Sequence, residues 1–269
     1  MSIEASELEI KQENLHARIL SRAMVLGYDP TIVKPIFDGV VDWRGYLAGR
    51  MKICWILKEP YADKDGNGNP KGGGWMMFKD VADAKTLAQT VNGNKALRNV
   101  AYASWGLQVG VKRFAEIPGI MGNPSIANAP QRVCYINTGK MPAATLTPNA
   151  QLFRIQQQWR DIVLEQIHLA NPDLLIFAGT LQVWAKDFGV DLSRPIESVV
   201  FGEGRSKSVA DIHLWNRKLI LWTNHPSSFV STANWVDSIW KLRNGGAKGL
   251  IYRVCRHSPL GATEREGVG

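Results

Sequence analysis

Residues 147–178 read TPNAQLFRIQQQWRDIVLEQIHLANPDLLIFA, a helical pattern that runs straight into a strand pattern. Leu152, Ile155, Trp159, Ile162, Val163 and Ile167 recur at the three- and four-residue spacing of one helical face. Thr147 is a capping residue type, and Pro148 suits a first helical position. Asn171-Pro172 then stops the helix. LLIFA at 174–178 is a short, wholly apolar run of the length found in strands buried on both faces. Three further runs share that character: KICWIL at 52–57, RVCYIN at 132–137 and KLILWT at 218–223. Buried strands alternating with helices predict a parallel sheet covered on both sides. The expected fold is therefore three-layer α/β/α, with a four-stranded parallel sheet.

Around this centre, residues 1–50 are expected to be largely helical. Leu8, Leu15, Ile19, Leu20 and Met24 share a face, Gly27 and Pro30 close the segment, and a second short pattern follows over 40–47. A short segment around Tyr252 and a loose tail from about residue 245 end the chain. With no internal repeat and no strong linker, residues 1–269 are expected to form a single domain.

Composition narrows the function classes. The 45% apolar and 21% charged residues exclude wholesale disorder. Three cysteines, Cys54, Cys134 and Cys255, are too few for a disulfide framework or a four-cysteine iron–sulfur cluster. No apolar run reaches the roughly 20 residues of a membrane span, and an N-terminus carrying Glu4, Glu7 and Glu9 is unlike a signal peptide. A soluble, cytoplasmic monomer without membrane contact is expected. A net charge of +8 points to an anionic partner. Most of the ten tryptophans, including Trp55, Trp159 and Trp222, are assigned to the core. His16, His168, His213 and His257 lack metal-ligand spacing, and neither metal nor cofactor is expected.

In a parallel sheet, ligands gather at the carboxyl ends of the strands. Those ends carry Lys58-Glu59-Pro60-Tyr61-Ala62-Asp63, then Asn137-Thr138-Gly139-Lys140, then Gly179-Thr180, then Asn224-His225-Pro226-Ser227-Ser228-Phe229. A carboxylate, an amide and an imidazole are thus expected on one rim. Ser227 and His225 are set aside as a nucleophile pair, because residues two apart at a strand end need not face each other. Gly202-Glu203-Gly204 is only a fragment of a dinucleotide fingerprint, and the chain has neither a phosphate loop nor an H-E-x-x-H motif.

These four segments, in this order, resemble the motifs of the uracil-DNA glycosylase superfamily, and the likeness spans about residues 52–229. There the first strand ends in G-Q-D-P-Y-H, to which Leu57-Lys58-Glu59-Pro60-Tyr61-Ala62 is similar. The second ends in an asparagine, as Ile136-Asn137-Thr138 does. The third resembles 174–180, and the fourth carries H-P-S-P-L, similar to His225-Pro226-Ser227-Ser228-Phe229. Glu59 stands in place of the family's aspartate, Lys58 of its glutamine, and Ala62 of the histidine in the best-known branch. The resemblance implies a monofunctional DNA glycosylase that flips a pyrimidine out of the duplex and hydrolyses its N-glycosidic bond without a cofactor.

On that reading Glu59 orients water and His225 stabilises the departing base. Asn137 reads the base edge, and Trp75 or Phe78 stacks on the base. Tyr61 shapes the pocket and, as the residue that blocks a C5 substituent in uracil-specific members, favours uracil. Phe229 is the wedge that fills the vacated stack, and Ser227, Ser228, Lys58 and Lys140 hold phosphates. The glycine-rich stretch 63–74 is expected to cover an enlarged pocket. Certain members of the superfamily look like phage-defence enzymes that excise glucosylated hydroxymethylcytosine, so both uracil and a modified cytosine are expected substrates, in repair or in defence. No lysine is clearly placed for Schiff-base chemistry, Lys58 being the one to watch, and strand cleavage is not expected. The alternatives are a catalytically inactive nucleic-acid-binding protein on the same fold and a hydrolase of free nucleosides.

Overall fold

Neighbouring residues of the central strands sort to opposite faces, and this alternation builds two cores. Ile53, Trp55, Leu57, Tyr135, Leu174, Ile176, Leu219 and Leu221 enter one hydrophobic cluster. Cys54, Ile56, Cys134, Ile136, Leu175, Phe177 and Ile220 enter the other. A two-residue side-chain period on strands buried on both faces produces this division. Each fully buried Leu, Ile or Phe contributes about 1.5–3 kcal/mol.

The computed structural model describes residues 3–59, 63–64, 66–67, 70–71, 73–74, 76, 79, 84–110, 113–143 and 147–244. In chain order the strands are β1 (Gly39–Val40), β2 (Ile53–Leu57), β3 (Asp63–Lys64), β4 (Pro70–Lys71), β5 (Cys134–Asn137), β6 (Leu174–Ala178), β7 (Glu197–Phe201), β8 (Ser208–Trp215) and β9 (Lys218–Thr223). The helices are α1 (Ile3–Val25), α2 (Trp43–Leu47), α3 (Ala84–Gly93), α4 (Lys95–Val109), α5 (Ser125–Asn128), α6 (Asn149–Ala170), α7 (Leu181–Trp184) and α8 (Thr232–Asn244). Helices α1, α2, α6 and α7 supply one core, and α3, α4, α5 and α8 the other.

Among the described residues the main sheet has seven strands in the order β1-β5-β2-β6-β9-β8-β7, and it is mixed. This corrects the expected four-stranded parallel sheet. The four apolar runs do form its parallel centre, with β5, β2, β6 and β9 side by side. An antiparallel strand closes one edge, and the antiparallel pair β7–β8 extends the other. Strands β8 and β9 are joined through Asn216 and Arg217, both left-handed at φ 46° and 64°. Two such residues in succession are what a tight hairpin needs.

Helix α6 buries Leu152, Trp159, Ile162, Val163 and Ile167, as its stripe predicts, with Ile155 partly buried. It starts at Asn149 with Pro148 as the capping position, one residue later than expected, and Asn171 ends it in the left-handed conformation. The N-terminal region is less helical than its pattern implies. Helix α1 stops at Val25, Met24 is 50% exposed, and Val40 lies in a strand. Part of the 63–74 stretch forms the two-stranded ribbon β3–β4, with Asp63 paired to Lys71. Cys54 and Cys134 face each other across β2 and β5 as buried free thiols. The expected segment around Tyr252, the tail from 245 and Cys255 lie outside the described residues. Among the described residues no helix is long and apolar enough to cross a membrane.

Candidate active site

The carboxyl ends of β5, β2, β6 and β9 are laced together before any side chain is considered. Thr138 N–H donates to Leu57 O at 2.8 Å, and Gly139 N–H to Lys58 O at 3.0 Å. Gly179 N–H donates to Thr223 O at 2.7 Å, and the Thr180 hydroxyl to Ile56 O at 2.8 Å. Two glycines let this rim close up. A Cβ on Gly139 would stand 3.0 Å from the Glu59 Cβ, and one on Gly179 would stand 3.3 Å from the His225 Cβ. Gly179 also sits at φ 73°, which side chains other than glycine's rarely tolerate. Glu59 and His225 thus end strands two places apart in the sheet, with backbones about 10 Å apart at the usual strand spacing.

Glu59 is withdrawn from water, and its Oε2 is buried without a hydrogen-bond partner among the described residues. Burial raises its pKa to about 7, with the Lys58 charge pulling the other way. His225 is shifted downward to about 4, first by burial and then by the same Lys58 charge. The His225 ring is also oriented. Ser227 N–H lies 3.3 Å from Nδ1, and the Ser227 Oγ 2.7 Å from it. A backbone N–H can only donate, so Nδ1 is the acceptor and the ring proton sits on Nε2. The rim therefore presents a carboxyl group poised near neutrality and a neutral imidazole with one N–H donor.

Ser227 and His225 do face each other, which their spacing alone left open. They still make a poor nucleophile pair. An imidazole whose pKa lies near 4 is a weak base at neutral pH, and its Nδ1 is occupied by a main-chain donor as well as the hydroxyl.

The loop that carries His225 is pinned by residues the sequence did not single out. Asn99 donates to Pro226 O at 2.7 Å, Trp235 Nε1 to Asn224 O at 2.9 Å, and Lys95 Nζ to Ser228 O. Asn224 in turn accepts from Val209 N–H at 2.8 Å. Asn99 and Lys95 of α4 lie 127 and 133 residues from the groups they bind, whereas Trp235 of α8 and Val209 of β8 lie 11 and 15 residues from Asn224, and no local motif announces them. From this anchored loop Phe229 projects, 88% exposed. Ser227 is exposed and Ser228 half-buried with its hydroxyl unpartnered.

One expected role is corrected, and a second residue shares the network responsible. Lys140 is fully buried, and its ammonium lies 2.7 and 2.9 Å from the two carboxylate oxygens of Asp38. A side chain held there does not reach phosphates. Asn137 is 3% exposed, and both its main-chain N–H and its amide nitrogen donate to Asp38 Oδ2, at 2.7 and 3.2 Å. The amide nitrogen of Asn137 is thus held by this network. Gln166 joins with a 2.8 Å bond to Asp38 Oδ1, and His16 with a 2.9 Å contact to Asp38 O. Burial pulls the Lys140 pKa down while Asp38 holds it up. Tyr61, Trp75 and Phe78 lie outside the described residues.

Beside His225 opens a cleft of about 530 Å³ whose lining includes Lys58, Gln182, Asp211, Trp222, Asn224 and His225. Trp222 packs against the core, as expected, but is only half-buried and also forms part of this wall. The Gln182 Oε1 is buried without a partner. No family model matches the chain, and no curated protein matches it. The fold and the rim geometry are thus the grounds on which a function is argued.

Proposed function

We propose that this chain is a monofunctional DNA glycosylase that hydrolyses the N-glycosidic bond of a flipped-out pyrimidine. The observation that carries the reading is the pairing, on one rim, of a desolvated carboxyl group lacking a partner on Oε2 with a neutral imidazole whose free nitrogen is a donor.

The chemistry asks for these two groups. As the bond between C1′ and the base nitrogen breaks, positive charge grows on the sugar and negative charge on the base. The Glu59 carboxylate stabilises the former and takes the proton of the water that adds to C1′. His225 Nε2–H donates to the base oxygen where negative charge collects, a contribution of about 3–4 kcal/mol for a well-placed donor. The base leaves as an anion and is protonated by solvent. Lys58 lowers the pKa of Glu59 and disfavours a charged His225, so it keeps both groups in their working forms. Phe229 fills the gap that the extruded nucleotide leaves. Ser227, Ser228 and Lys58 meet the backbone, supported by the +8 net charge.

Of the two expected substrates, the larger is better supported. The cleft at His225 offers the half-buried Trp222 ring, the Asp211 carboxylate and an unpartnered Gln182 carbonyl. The sugar hydroxyls of a cytosine with a polar C5 substituent, such as glucosylated hydroxymethylcytosine, are donors suited to the Asp211 carboxylate and the Gln182 carbonyl, and uracil has no such hydroxyls. Such a substrate places the protein in defence against phage rather than in housekeeping repair. Incubation with duplexes bearing uracil, cytosine or glucosylated hydroxymethylcytosine, followed by alkali, tests this. Abasic sites on the modified duplex, with strands intact before alkali, are expected. If no duplex yields abasic sites, the reading is wrong.

A further inference from the structure

A second cleft lies at the opposite end of the parallel strands and takes no part in the chemistry above. Its volume is about 700 Å³, within the range of small-molecule sites, and its lining includes Asp42, Arg44, Arg50, Trp105, Gln108 and Arg132. Arg50 precedes β2 and Arg132 precedes β5, so the cleft sits where the parallel strands begin, whereas Glu59 follows β2. The five residues of β2 separate the two edges by about 17 Å.

Three guanidinium groups meet a single carboxylate here. That carboxylate is largely spent, since Asp42 Oδ1 caps α2 by accepting from Gly45 N–H at 2.9 Å, and Oδ2 lies 4.0 Å from Arg132 Nε. Arg44 and Arg50 are exposed and make no ion pair among the described residues. Fixed planar donors gathered in a concavity suit phosphate, which they bind through paired hydrogen bonds. The Trp105 ring, half-buried in the same wall, offers an aromatic surface beside them. Cations together with an aromatic face match the two ends of a nucleotide: phosphate on the arginines and base against the ring.

We propose that this cleft is a second, non-catalytic site that binds a nucleotide through its phosphate. The nucleotide is either free in solution or belongs to a DNA strand. The site stands on its own residues, and its fate is separate from that of the glycosylase reading.

Equilibrium dialysis with radiolabelled dAMP at low salt tests it. Saturable binding is expected, weakened about tenfold by Arg44→Ala and again by Arg132→Ala, and unchanged by His225→Ala. Both arginines are exposed, and a matching thermal melt confirms that each variant folds. Inorganic phosphate, used as competitor, is expected to displace dAMP only at several-fold higher concentration, because it lacks the ring. Displacement of dAMP by a 5′-phosphorylated single-stranded oligonucleotide at lower concentration supports a DNA strand as the source, and its failure to do so supports a free nucleotide. Absence of saturable dAMP binding, binding indifferent to the arginine changes, or phosphate competing as well as dAMP itself overturns the proposal.

Discussion

Asp38 and Glu59 are both carboxyl groups withdrawn from water at the same sheet, yet the protein surrounds one with donors and leaves an oxygen of the other bare. Asp38 Oδ1 accepts from Lys140 and Gln166, and Oδ2 from Lys140 and from both nitrogens of Asn137. Among the described residues Glu59 Oε2 has no partner, and its pKa has risen to about 7. A buried polar group normally finds partners, because leaving it without them costs about 1–3 kcal/mol. The Asp38 network follows that rule and ties β1, β5 and α6 together. Glu59 departs from it at the edge where ligands bind, as a group kept for proton transfer does.

The contrast breaks most visibly at Asp38. Changing Asp38→Ala strands the Lys140 ammonium in the core and is expected to cost about 3–5 kcal/mol, read as a lowered midpoint in urea unfolding. On the other side of the comparison, His225→Ala is expected to slow base release about 10²–10³-fold while the unfolding midpoint stays nearly constant.

Lys58→Met sharpens the comparison through pH. Glu59 works ionised, so the rate is expected to climb as pH rises through about 7. No descending limb from His225 follows, since that group is already neutral above about pH 4. The Lys58 charge lowers the Glu59 pKa, so its removal moves the ascending limb to higher pH in a single-turnover profile. The smallest effect is expected at Phe229→Ala. A residue 88% exposed contributes within about 0.5 kcal/mol to stability, but its loss slows excision from duplex more than from single strands.

The parts of this molecule that were legible in sequence are those whose cause is local. The runs at 52–57, 132–137, 174–178 and 218–223 are apolar because both faces are covered, and each became a central strand. The antiparallel edge was hidden. Asp211 and His213 are buried polar residues that interrupt β8, and the hairpin to β9 turns on Asn216-Arg217 with no glycine to mark it. Glu59 and His225 could be picked out because they follow strand ends. The Asp38 network could not, since it joins His16, Asp38, Lys140 and Gln166 from four separate stretches of chain. A lysine is almost never fully buried, so Lys140 read as a surface cation.

One measurement bears directly on the idea that Glu59 is left bare in order to react: the rate of base release and the thermal midpoint of Glu59→Gln, taken side by side with the parent protein. The amide keeps the shape and removes the charge that burial penalises. The account predicts excision slowed at least a hundredfold with a midpoint equal to or above the parent's. Unchanged excision would contradict it, and so would a lowered midpoint with the rate intact, since Glu59 would then serve the fold as Asp38 does.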